Sequence, residues 1–251
     1  MHRYFEVNGG GHNIRCKLYY NDLKKIRRCV LFCHGFGGHK DNSAAEKFAQ
    51  RLLTKHPSCA LVTFNWPGHG DDVKKKLHLA DCDQYLSLVA DFVGEKYAPE
   101  GLYCYATSFG GYLTLKYIAS HGSPFRRIAL RCPAVNMYEV FTAAIIGPEE
   151  QALLEKGKDV AAGFDRKVLI SRDFLEDIKR SDIRKLDFLD WAEDILILQG
   201  TADEVVPFES VRQFADDQLM EFVPVEGADH RFRHPGTMEA AIKAILEFFD
   251  L

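Results

Sequence analysis

Ala106-Thr107-Ser108-Phe109-Gly110-Gly111 stands between an apolar run, Leu102-Tyr103-Cys104-Tyr105, and a helical pattern over 109–121 that closes at Gly122. The run has the length of a buried strand, and the pattern after it predicts a helix. A serine on so sharp a strand-to-helix turn is lifted out of the sheet with its hydroxyl exposed. It also meets the free N–H groups and positive end of the helix, which favour developing negative charge. Ala106, Gly110 and Gly111 on either side are small, as a crowded turn requires. Serine also caps helices with no further role, so the hexapeptide needs support from elsewhere in the chain.

Outward from this turn the pattern alternates. Strands are expected at Tyr4–Val7 and Ile14–Tyr19, around the glycine turn 9–11, then at Val30–Cys33, Ala60–Phe64, Arg127–Arg131, Ile195–Leu198 and Glu221–Val225. Helices are expected near 43–55, 81–97, 208–217 and 236–249. With the strand at 102–105 this makes eight strands, and strands alternating with helices imply an α/β architecture built on a mostly parallel, doubly wound sheet. Ligands bind such sheets at the carboxyl ends of the strands. The three glycines at 9–11 precede no helix, so they read as a hairpin turn and not as a phosphate loop. The rhythm breaks over 134–190, and between 147 and 190, 20 of 44 residues are charged against 27% for the whole chain. This span reads as an inserted cap, with 1–133 and 191–251 forming the core.

Three other loops bear on Ser108. His34-Gly35-Phe36-Gly37-Gly38 follows the strand at 30–33 and can aim a backbone N–H at the site; with the N–H of Phe109 it would make an oxyanion hole. Gly200-Thr201-Ala202-Asp203 and Gly227-Ala228-Asp229-His230 each follow a predicted strand. Their side chains are expected at the same sheet edge as Ser108, in the chain order Ser, Asp, His.

On these residues the chain resembles the α/β-hydrolases over nearly its whole length, and among them the small cytoplasmic serine esterases that include bacterial cinnamoyl (feruloyl) esterases. Those share the His-Gly-Phe start of the oxyanion loop, a turn like Asn65-Trp66-Pro67-Gly68-His69-Gly70, and a cap inserted before the acid-bearing strand. The resemblance implies Ser108 as nucleophile, Asp203 as acid, His230 as base, and the backbones of Phe36 and Phe109 as oxyanion donors. Ala106 departs from the first glycine of Gly-x-Ser-x-Gly, adding one methyl group to the elbow.

Competing readings are few. Glu204 adjoins Asp203, but the acid usually lies three residues after the glycine, which favours Asp203. His230 and His234 have the spacing of a helical metal pair, but Pro235 disfavours a helix there and two histidines cannot fill a zinc sphere. Asp71-Asp72 and Lys74-Lys75-Lys76 read as a solvated loop. Within the cap, Tyr138, Phe141, Phe164 and Phe174 are the candidate substrate-binding aromatics, although packing would explain them equally. His34 reads as structural.

Composition sets the outer limits. A formal net charge of -4 with no basic stripe excludes a nucleic-acid surface. No apolar run approaches a membrane span, and the N-terminus lacks a signal-peptide core. Seven cysteines, several within apolar runs and none in a Cys-x-x-Cys pair, read as buried thiols of a cytoplasmic protein. No cofactor or metal is required. The partner expected is a small ester substrate, of soluble aryl or short-chain type. A homodimer is compatible with the sequence. A thioesterase, a peptidase using the same triad, and a ligand-binding protein with a vestigial triad are the alternatives.

Overall fold

The computed structural model describes residues 1–72 and 75–251. Its strands and helices run in the order β1 (His2–Gly9), β2 (His12–Tyr20), β3 (Arg28–Cys33), α1 (Ser43–Lys55), β4 (Cys59–Phe64), α2 (Leu79–Tyr97), β5 (Gly101–Thr107), α3 (Phe109–His121) and β6 (Ile128–Arg131). After β6 come α4 (Met137–Val140), a π-helical turn (Phe141–Ile145), α5 (Pro148–Glu155), β7 (Val160–Ala162), β8 (Val168–Ile170) and α6 (Arg172–Arg180). The chain ends with β9 (Ile195–Gly200), α7 (Phe208–Asp217), β10 (Glu221–Val225) and α8 (Thr237–Phe249).

Eight strands form one sheet in the order β1-β2-β4-β3-β5-β6-β9-β10. The β1–β2 and β2–β4 pairs are antiparallel and the rest are parallel. This is the α/β-hydrolase arrangement. The continuous apolar runs arise because the central strands are covered on both faces. Along β3, Cys29, Leu31 and Cys33 face one core, which includes residues of α2, α3 and α7, while Val30 and Phe32 face the other, with α1 and α8. Asn42 starts α1 by accepting from the N–H groups of Ala44 and Ala45, a side-chain cap for donors that have no helical partner. All seven cysteines are buried and unpaired. No helix of the described residues is long and apolar enough to cross a membrane.

Between β6 and β9 the chain leaves the sheet. Its small antiparallel hairpin, β7–β8, meets the loop after β4 through the bond from Leu77 N–H to Leu169 O at 2.9 Å. Asp71 is exposed in its loop, as the sequence reading has it, and is also anchored there. Its carboxylate pairs with Lys40 at 2.6 Å and accepts from Asn65 at 3.1 Å, tying the loop after β4 to the loop after β3. Lys74 lies outside the described residues.

Candidate active site

Ser108 adopts φ 51 and ψ -117, a positive φ that costs a side-chain-bearing residue energy. Three backbone hydrogen bonds hold it there: its N–H donates to Arg131 O at 3.1 Å, and its carbonyl accepts from Tyr112 at 3.1 Å and Ala134 at 3.2 Å. The helix then starts against β3. A Cβ on Gly110 would run into the carbonyl oxygens of Cys33 and His34, so no other residue fits. Ala106 is fully buried in β5 and accommodated.

The loops after β9 and β10, which carry Asp203 and His230, are laced together. Ala202 N–H donates to Ala228 O at 3.0 Å and Gly227 N–H to the Thr201 hydroxyl at 2.8 Å. Gly200 lies so close to Ala228 that a side chain at 200 would strike its carbonyl. The approach brings Asp203 to His230, with Nδ1 2.8 Å from one carboxylate oxygen and 3.1 Å from the other. A carboxylate only accepts, so Nδ1 donates, and in the neutral ring Nε2 is left to accept. Nε2 lies 3.1 Å from Ser108 Oγ. Glu204 does not reach the ring; it accepts from the backbone N–H of His230 at 3.1 Å.

The Asp203 side chain has no exposed surface. Burial pushes its carboxyl pKa up, but the His230 hydrogen bond and charge, the Val206 N–H and the Cys132 thiol together hold it below the ordinary value. Gln199 Nε2 donates to the same carboxylate at 3.0 Å. Gln199 and Cys132 escaped sequence reasoning; the one available signal was a polar residue ending the apolar run Ile195–Leu198. Cys132, Asp203 and His230 bring potential ligand atoms within 4.8 Å of one another. Burial, and then the Asp203 charge, hold the thiol protonated by raising its pKa, and Asp203 is already committed to His230, Gln199, the N–H groups of Val205 and Val206, and the Cys132 thiol, so the group suits proton relay better than metal binding. His234 turns away and donates Nδ1 to Gly227 O at 2.5 Å.

The backbone N–H groups of Phe36 and Phe109 have no acceptor among the described residues; Phe109, as the first residue of α3, has no helical carbonyl to bond. The loop carrying Phe36 rests on His34, which is buried and receives Trp66 N–H at Nε2, 3.4 Å away. His69 donates Nδ1 to Pro67 O at 2.8 Å and leaves Nε2 buried without a partner. Burial lowers the pKa of both, that of His69 to about 4, so both stay neutral at pH 7.

The four aromatics fall in different places. Phe141 and Phe174 are buried beneath the site, at 4.9 Å from Phe36 and 6.3 Å from Phe109 respectively. They are core residues, because the π-helical turn and α6 direct them at the sheet. Tyr138 is half-buried under Lys179. Phe164 alone of the four lines the cleft over Ser108, a space of about 780 Å³. Five lysines and arginines line it against two acids, on a chain whose net charge is -4.

This sheet, with a serine elbow at its carboxyl edge and an Asp–His pair beside it, defines an α/β serine hydrolase. The family model described as Hydrolase_4, serine aminopeptidase S33, matches residues 24–162, more than half of the chain, and the protein belongs to that family. Among curated proteins none matches it in sequence. Its fold resembles Est1E from Butyrivibrio proteoclasticus, solved with ferulic acid bound, at TM-score 0.77 and 16% identity, covering 98% of this chain and 100% of that one. Alpha/beta hydrolase domain-containing protein 10 from mouse gives 0.68 and 16%, covering 99% and 98%. XC6422 from Xanthomonas campestris, described as a serine hydrolase without lid, gives 0.66 and 14%, covering 99% and 94%. At these identities the likeness carries the fold alone.

Proposed function

We propose that the protein hydrolyses carboxylic esters through an acyl-serine. The observation that carries this reading is the unbroken line from Asp203 through His230 to Ser108 Oγ, at 2.8 and 3.1 Å. His230 takes the Ser108 proton as the hydroxyl attacks the ester carbonyl, and Asp203 keeps the ring in the required tautomer. The N–H groups of Phe36 and Phe109 hold the tetrahedral oxyanion; a donor of this kind is worth about 3 kcal/mol. Water then releases the acid. No step needs a metal or cofactor.

Residues 134–190 act as the cap, closing one side of the cleft through Phe164 and Arg166. The ferulic acid bound to Est1E makes hydroxycinnamoyl esters the first to try, with short-chain esters beside them. The family description raises a second reading, an aminopeptidase. Such an enzyme needs a free carboxylate for the substrate's ammonium group. Both acids of the cleft are engaged, Asp165 with Arg231 at 2.5 Å and Glu204 with Arg233 at 3.5 Å. The lining therefore favours the esterase. The seven buried thiols support a reducing compartment, the cytoplasm.

A fluorophosphonate probe should label the wild type and not Ser108→Ala, which also should lose several orders of magnitude in ester turnover while keeping its fold. Retention of more than about a tenth of the activity would refute the nucleophile. A panel of methyl ferulate, p-nitrophenyl butyrate, an emulsified triglyceride and an aminoacyl p-nitroanilide separates the substrate classes.

A further inference from the structure

Arg131 ends β6, one hydrogen bond from the backbone of Ser108, and is one of the residues lining the cleft. The residue is 7% exposed. Its guanidinium lies over the Phe232 ring at 5.0 Å, and Nη1 reaches Arg231 O at 3.3 Å. Nε is buried with no partner, and no carboxylate among the described residues pairs with the group. The nearby acids are occupied: Asp165 by Arg231, and Asp229 and Glu204 by Arg233. A buried guanidinium without a counter-ion is costly, and arginine's fork matches a carboxylate or phosphate. Lys47, near the start of α1, and Arg166, in the β7–β8 turn, also line the cleft, with no acid partner among the described residues. Three unpaired cations on a net-acidic chain thus face one cleft.

We propose that this wall is an anion subsite, and that the ester cleaved at Ser108 carries a compact anionic group, a carboxylate or a phosphate, which Arg131 binds. The inference rests on the ester-hydrolase reading above. Arg131 takes no part in proton transfer; it selects the substrate. Lys47 and Arg166 strengthen the field at the cleft mouth and raise the encounter rate with anions.

The test compares kcat/KM within matched pairs: p-nitrophenyl butyrate against mono-p-nitrophenyl succinate for the acyl side, and phenyl butyrate against its 4-carboxy and 4-phosphonooxy derivatives for the leaving group. At least one anionic ester should exceed its neutral partner by about tenfold, the scale of a hydrogen bond to a charged group. The 4-carboxy and 4-phosphonooxy members tell carboxylate from phosphate. In Arg131→Met the ratio should fall towards one, and in Arg131→Lys it should be partly kept. If Arg131→Met does not fold, the double variant Lys47→Ala/Arg166→Ala, at exposed positions, should lower the ratio by about threefold. Anionic esters no better than their partners, a ratio unmoved by the variants, or equal loss on both members of a pair would overturn the subsite. A protein that takes the fluorophosphonate and cleaves only neutral esters overturns the subsite and leaves the hydrolase reading intact. A protein that does neither overturns both.

Discussion

The two flanks of Ser108 are built on opposite principles. On one side Phe36, Phe109, Phe141, Phe174 and His69 pack ring against ring, at centroid distances from 4.9 to 6.4 Å, with His34 and His69 neutral. On the other, Asp203, His230, Arg131 and Arg233 carry charge or trade protons, and Arg233 is exposed. The dry flank keeps water and competing charges from the N–H groups of Phe36 and Phe109, which strengthens them as the proposed oxyanion donors. In the proposed mechanism the charged flank handles the proton and, by the inference above, the substrate's anion. Damage should therefore read out differently on each side: rate on the charged flank, stability on the dry one.

The largest effect is expected from Asp203→Asn. It preserves shape but no longer secures the tautomer, and kcat should fall by about 10⁴-fold, measured on p-nitrophenyl butyrate. A loss under about tenfold would move the acid's role elsewhere, to Glu204 first. On the dry flank, Phe141→Ala opens a cavity among three other aromatic rings and should cost about 3–5 kcal/mol, a fall in Tm of roughly 10 °C by calorimetry. A Tm shift under about 2 °C would mean the ring stack is not core.

His69 sharpens the contrast through pH. Its folded pKa, about 4, lies below the ordinary histidine value, so burial of the neutral ring stabilises the fold above that ordinary value and the contribution is lost as pH falls to about 4. The whole effect is on the order of 3 kcal/mol. His69→Asn keeps a donor where Nδ1 stands and removes the titration. Its Tm should drop less than the wild type's between pH 7 and pH 4.5; an identical drop in both would show that His69 is not buried neutral. The smallest effect is expected from Phe164→Ala. This ring is 45% exposed, so stability should move by less than about 0.5 kcal/mol while KM for aryl esters rises modestly.

That last pair marks where the sequence stops being informative. The strands and helices of the sheet were legible because burial on two faces or one leaves a period of its own, and β3, β5 and α1 agree with it closely. Ser108, Asp203 and His230 were legible because each follows its own strand, so topology alone brings them to one edge. Phe141 and Phe164 were not separable. They sit in short irregular elements, a π-helical turn and a hairpin loop, where spacing does not say which side faces in. Arg131 reads as one more polar residue closing a strand. Its lack of a counter-ion depends on where Arg231 and Arg233 find theirs, a fact about three loops and not about one.

The backbone at Ser108 has a consequence for how such a chain can change. Its φ of 51 is an uncomfortable conformation for serine, on the order of 1–3 kcal/mol, and three hydrogen bonds keep it from relaxing. Glycine would sit there at ease. Drift towards a sturdier protein thus points straight at the loss of its hydroxyl, and any lineage that keeps the serine does so against the pull of its own stability.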